Sequence, residues 1–83
     1  MMTPTIHLNG TSKRELLEQQ LTAMNAVSAA RAALAAAAPN GRDYYPQGNE
    51  AIQHALDEHA TRLGYLETVF AELEAIAQHI SDH

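Results

Sequence analysis

From Ile52 to Ile80 the apolar or near-apolar positions are Ile52, Leu56, His59, Leu63, Leu66, Phe70, Leu73, Ala77 and Ile80, separated by 4, 3, 4, 3, 4, 3, 4 and 3 residues. Alternating threes and fours keep side chains on one face of a helix, whereas a strand's period of two would scatter them over both faces. The spacing predicts one long helix over residues 49–80, with Asn49 as its N-cap. A stripe of that length must be covered, so the rest of the chain is first of all a search for its partner.

A second helix precedes it. Ser12 followed three residues later by Glu15 is a capping box, in which side chains satisfy the free backbone donors of a helix start, and Thr11 offers an alternative cap. Apolar residues then recur at Leu17, Leu21, Met24, Val27, Ala30 and Leu34, and Pro39, Asn40 and Gly41 stop the helix near residue 38. Residues 1–11 form an arm in which Ile6 and Leu8 are available to dock, ahead of the turn pair Asn9 and Gly10. The expected fold is therefore all-α: a single domain, 1–83, with an arm (1–11), a helix (12–38), a loop (39–48) and a helix (49–80) folded as an antiparallel two-helix hairpin.

If the chain reverses about the middle of the loop, residues whose numbers sum to about 87 lie side by side, because both helices rise equally per residue. Leu66 then faces Leu21, Phe70 faces Leu17 and Leu63 faces Met24, while Ile52 and Leu56 meet the alanine-rich end of the first helix. In that register Ile76 and Ile80 overhang, and Val69 with Ile76 widens the apolar face beyond what one neighbouring helix covers. Gly64, inside the second helix, either marks a close backbone approach or is simply tolerated. An 83-residue chain with three Tyr, one Phe and no Trp also has few large side chains to bury. Together these features predict a homo-oligomer, most simply a dimer forming a four-helix bundle.

The composition excludes several functions. A net charge of −5 with five Lys and Arg in total is unsuited to tracking a phosphate backbone, so nucleic acid is not an expected partner. There is no cysteine, hence no disulfide or thiolate metal site, and no apolar run approaches the roughly 18 residues of a membrane span. The start, "MMTPTIHLNG", lacks the pattern of a secretory signal, so a soluble cytoplasmic protein is expected. His54 lies one turn from both Glu50 and Glu58, and His79 one turn from His83, but no matching motif on the other helix completes a metal site. Glu58 with Arg62 is an ordinary helical ion pair. No nucleophile elbow, phosphate loop or cofactor motif is present, and neither an enzyme nor a bound cofactor is expected.

The unusual residues are concentrated in "NGRDYYPQG", residues 40–48, a connection at or beyond the usual upper length of about 8 residues for helix bundles. Arg42 presents a forked donor suited to phosphate, Tyr44 and Tyr45 offer flat faces for a base, Asp43 can accept from a hydroxyl, and Gln47 can read an amide-like edge. Those features would suit a nucleotide-like ligand. The structural alternative is that one tyrosine packs under the loop, Arg42 pairs with Asp43 or a helix end, and the glycines and prolines only set the turn. A second candidate is "LNGTS", where Asn9, Thr11 and Ser12 stand at the positive end of the first helix, a natural anion position for which a well-capped helix start is the favoured explanation, because caps are so common.

"TIHLNGTS" and "NGRDYYPQG", taken together, resemble segments of a family of small helical proteins encoded by tailed phages and prophages. Small oligomeric phage proteins include inhibitors of host defence, among them sponges that hold nucleotide immune signals between subunits. The resemblance implies a non-enzymatic protein of the host bacterial cytoplasm that sequesters a nucleotide-derived signal, such as a cyclic ADP-ribose or cyclic dinucleotide species. It implies a ligand site drawn from Arg42, Asp43, Tyr44, Tyr45, Gln47, Asn9, Thr11 and Ser12. The alternative is an inhibitor or adaptor that docks on a host or phage protein through its helical face or its tyrosine loop.

Overall fold

In the computed structural model, which describes all residues Met1–His83, the first helix is α1, Lys13–Ala36. Ser12 is its cap: in extended conformation (φ −62°, ψ 153°), its Oγ accepts from the Glu15 N–H at 3.2 Å. The capping box forms in this one direction, without a bond from the Glu15 carboxylate back to Ser12. The helix ends two residues earlier than expected, tightening as Ala37 N–H donates to Leu34 O (3.0 Å) and Ala38 N–H to Ala35 O (3.2 Å). Pro39 accounts for the early stop, since its ring disfavours helical backbone at the residue before it.

The second helix, α2, spans Ala51–Asp82 and is about 48 Å long. It begins later than expected: Asn49 is not its cap, and Glu50 occupies that position without a side-chain bond. Instead Gly48, at φ 113°, turns the chain, and its carbonyl accepts from Ala51 N–H at 3.3 Å. At the far end His83 Nδ1 lies 2.8 Å from the carbonyl of His79, with the two rings stacked at 4.0 Å, so a terminal side chain satisfies one of the free carbonyls.

The hairpin is present, and there are no strands. Its seam on α2 follows the expected repeat, with Ala55, His59, Ala77 and Ile80 buried and Ile52, Leu63, Leu66, Phe70 and Leu73 half-buried; Leu56 sits at the edge. The seam on α1 differs from expectation. Leu21 is 46% exposed and Ala30 is exposed, whereas Gln20 and Arg31 are half-buried beside Leu17, Met24, Val27 and Leu34. The positions 17, 20, 24, 27, 31 and 34 carry a strict repeat of 3, 4, 3, 4 and 3. Assigning polar residues outward hid that repeat. Long polar side chains bury their stems and leave the head at the edge, and the Arg31 guanidinium does so over the Phe70 ring, 5.1 Å from its centroid.

This contact also corrects the register. Arg31 and Phe70 sum to 101, not 87. Because both side chains lean toward the N-terminus of their own helix, the backbone register lies between roughly 95 and 101. The helices are thus slid by about 12–21 Å relative to a reversal at mid-loop. Leu66 does not face Leu21, nor Phe70 Leu17. The end of α1 reaches only the level of residues near 59–65, and the loop runs back along the first turns of α2, where Pro39 and Tyr44 are half-buried and Ala55 and His59 are covered.

At the other end Ile80 has no exposed surface, so the expected overhang is closed within one chain. The arm leads into α1 at this end of the rod. Its Thr3, Pro4 and Ile6 are half-buried, and a turn joins His7 O to Gly10 N–H at 3.2 Å. Ile6 is half-buried, but Leu8 is 98% exposed. The result is a rod of 62 × 20 × 17 Å in which four residues are buried, a thin core for its length.

Gly64 has nothing within 4 Å of where a Cβ would stand, so no backbone approaches it. Gly64→Ala should therefore stabilise the fold by about 0.5–1 kcal/mol through helix propensity. Gly48→Ala should destabilise it by about 1–2 kcal/mol, because its positive φ disfavours any side chain. Urea unfolding followed by circular dichroism measures both; a loss of stability in Gly64→Ala would mean that something packs on that position.

Candidate functional site

The loop between the helices is built from two consecutive 3₁₀ turns, Gly41–Asp43 and Tyr45–Gln47. Asn40 caps the first, its Oδ1 accepting from Arg42 N–H at 3.0 Å. Four backbone bonds of 3.0–3.2 Å, from the N–H groups of Asp43, Tyr44, Gln47 and Gly48, tie the segment to itself. Pro46 fixes one backbone angle in the second turn. The connection is therefore a short ordered structure, and its side chains project from a defined backbone.

That structure divides the two tyrosines. Tyr44 is half-buried and belongs to the cover over the start of α2, as the structural alternative expects of one tyrosine. Tyr45 is 76% exposed. Arg42, Asp43 and Gln47 are exposed as well. Arg42 makes no ion pair with Asp43 or any other carboxylate; the two ion pairs of the chain are Arg14–Glu18 (3.9 Å) and Arg62–Glu58 (3.8 Å), both on helix surfaces. An unpaired guanidinium and an uncovered aromatic ring thus stand within four residues of each other, on a loop whose own stability uses neither.

Asn9, Thr11 and Ser12 lie elsewhere. All three are exposed, and Ser12 Oγ is committed to the helix cap. They stand at the start of α1 and the tyrosine loop follows its end, so the length of that helix, roughly 36 Å, separates the groups. One chain does not bring them together. Nor does the surface concavity coincide with the loop: a furrow of about 520 Å³ lies along α1, lined by Glu15, Glu18, Gln19, Thr22, Ala23 and Ala26. A furrow on one helix that carries two carboxylates and no cationic side chain is unsuited to an anionic ligand.

His54, Glu50 and Glu58 are exposed, and no three His, Asp or Glu side chains gather where they could hold a metal. His59 is buried in the seam, as its heptad position implies, with Nε2 unpartnered; Gln20 Oε1 is the other buried side-chain atom without a hydrogen bond. Each such atom costs about 1–3 kcal/mol of desolvation. Gln20 was legible only through the unbroken repeat of threes and fours in α1.

The division of the tyrosines is testable by stability alone. Tyr44→Ala should lower the unfolding free energy by about 1–3 kcal/mol through lost burial, while Tyr45→Ala should change it by less than about 0.5 kcal/mol. Equal effects would remove the distinction between a structural and a presented ring. No helix is long and apolar enough to cross a membrane. Compared with protein-family models, curated proteins and solved structures, the chain matches none.

Proposed function

We propose that this protein is a non-enzymatic binding protein that captures a small nucleotide-derived signal on the 40–48 loop, sequestering it as a phage-type anti-defence sponge would. The observation that supports it is the free pair on that loop, Arg42 without a carboxylate partner and Tyr45 with its ring uncovered. A guanidinium offers paired donors to phosphate oxygens, and an exposed phenol ring stacks on a base. Asp43 and Gln47 add an acceptor and an amide for sugar hydroxyls and base edges, while Tyr44 holds the loop against α2 and contributes indirectly. Asn9, Thr11 and Ser12 enter such a site only from another copy, given their distance along the rod.

The second proposal, an adaptor or inhibitor docking on a host or phage protein, draws on a different observation. The loop has no cavity around it, and an exposed tyrosine beside an arginine on a convex surface is the composition of a protein-contact hot spot. A cavity-free site holds a small molecule only when a second surface closes over it.

Native mass spectrometry against a panel of cyclic dinucleotides and ADP-ribose-derived cyclic nucleotides separates the two. A nucleotide mass gained at fixed stoichiometry, lost at least tenfold in affinity in Arg42→Ala and in Tyr45→Ala with helicity unchanged, is the expected result. Unchanged affinity in both variants would take the loop out of the site. A chain that stays bare against the whole panel but retains a stoichiometric protein partner would replace the first proposal with the second.

A further inference from the structure

Asparagine followed directly by glycine occurs twice, at Asn9–Gly10 and at Asn40–Gly41, and all four residues are exposed. The main-chain nitrogen that follows an asparagine lies within reach of its side-chain amide carbon, and glycine, with no Cβ, leaves that nitrogen the most freedom to swing onto it. The fold treats the reacting atoms of the two pairs differently.

At residues 40–41 they are held apart. Asn40 Oδ1 accepts from Arg42 N–H at 3.0 Å and the Asn40 carbonyl accepts from Asp43 N–H at 3.0 Å, which fixes the residue at ψ 135°. Attack by the Gly41 nitrogen requires a rotation about that same bond, away from the extended setting, and so the loss of the cap. At residues 9–10 the side chain is free: the Asn9 amide makes no hydrogen bond, and the turn around it is closed by the bond from Gly10 N–H to His7 O, at 3.2 Å. A proton acceptor also stands there. The place a Cβ would take on Gly10 is 2.7 Å from His7 Nε2 and 3.1 Å from both Cδ2 and Cε1, the carbons that flank it, so the ring points this nitrogen at the glycine. With its proton on Nδ1 the imidazole offers a lone pair at Nε2.

We infer that Asn9–Gly10 is a site of self-modification, in which Asn9 is converted to an aspartyl or isoaspartyl residue with His7 as the proton acceptor, while the same dipeptide at 40–41 is kept intact by its cap. His7 Nε2 takes the proton of Gly10 N–H as that nitrogen bonds to Asn9 Cγ. The adduct collapses, the Cγ–Nδ2 bond breaks, and the imidazolium returns the proton to the departing nitrogen, which leaves as ammonia. Water then opens the cyclic imide, at Cγ to give aspartate or at the main-chain carbon to give isoaspartate. In sum water is consumed and ammonia released, with no change of oxidation state. Either product sets a carboxylate just ahead of the Ser12 cap, at the positive end of α1, where negative charge is favoured. On the reading of Asn9 as a contributor to an anionic-ligand site, that carboxylate opposes the ligand there.

Incubating the folded protein in mildly alkaline buffer and digesting it with trypsin separates the two pairs, since cleavage after Lys13, Arg31 and Arg42 places Asn9 in residues 1–13 and Asn40 in residues 32–42. Mass spectrometry reads the amide-to-acid gain in each peptide. Asn9 should convert at least about tenfold faster than Asn40, and the two rates should converge when the chain is unfolded in urea. His7→Ala should slow the conversion of Asn9 by about tenfold, and free imidazole added to that variant should restore part of the rate. An Asn40 that converts in the folded protein as fast as Asn9 overturns the proposal, as does an Asn9 that keeps its amide through an incubation that converts it in urea. A His7→Ala chain with the wild-type rate, or with a slow rate that imidazole does not lift, overturns the role of His7 as proton acceptor. None of these outcomes depends on whether a nucleotide binds.

Discussion

Arg31 lies over the ring of Phe70, and that contact records how far the two helices slide past each other. Had the chain reversed at the middle of its loop, the helices would have been flush there and the loop a bare connection. With the observed slide, α1 stops short and the first turns of α2 stand alone, so the loop is drawn along them to cover Ala55 and His59. At the opposite end the same slide brings α1 up to the end of α2, where Ile80 is fully enclosed. Register and loop path are two expressions of one displacement.

A seam of this kind is thin. It holds a buried histidine and a glutamine oxygen without partners, and only Ile80 among its large side chains is wholly enclosed. Two packed helices each bury one side and leave the other three-quarters of their circumference to water, so the hairpin keeps much of its surface by geometry. Local features carry a correspondingly large share of its order: the Ser12 cap, the paired 3₁₀ turns, and the histidine stack at the end of α2.

The loop shows how folding and presentation divide a short segment. Pro39 and Tyr44 are drawn into cover, Asn40 and Gly48 set the turn geometry, and Arg42 and Tyr45 are left over. Residues that serve the fold are those whose removal would open it; the remainder stand free to meet something else. The proposed ligand role rests on that remainder, which is smaller than the full cluster in the sequence.

Local order was legible in the residues themselves. The repeat of threes and fours gave α2, Ser12 with Glu15 gave the start of α1, and Pro39 gave its end, because each acts through atoms only a few residues apart. The register was not legible, since a heptad stripe matches its partner equally well at shifts of seven and its true position is decided by long-range packing between the helices. Gln20 and Arg31 belonged to the seam by spacing but not by polarity, and only packing shows that an arginine stem and an aromatic ring can fill a place reserved for leucine. The two tyrosines are neighbours of identical chemistry; which is covered and which is presented is decided by the path of the backbone over α2, a property of the fold that neither residue carries alone.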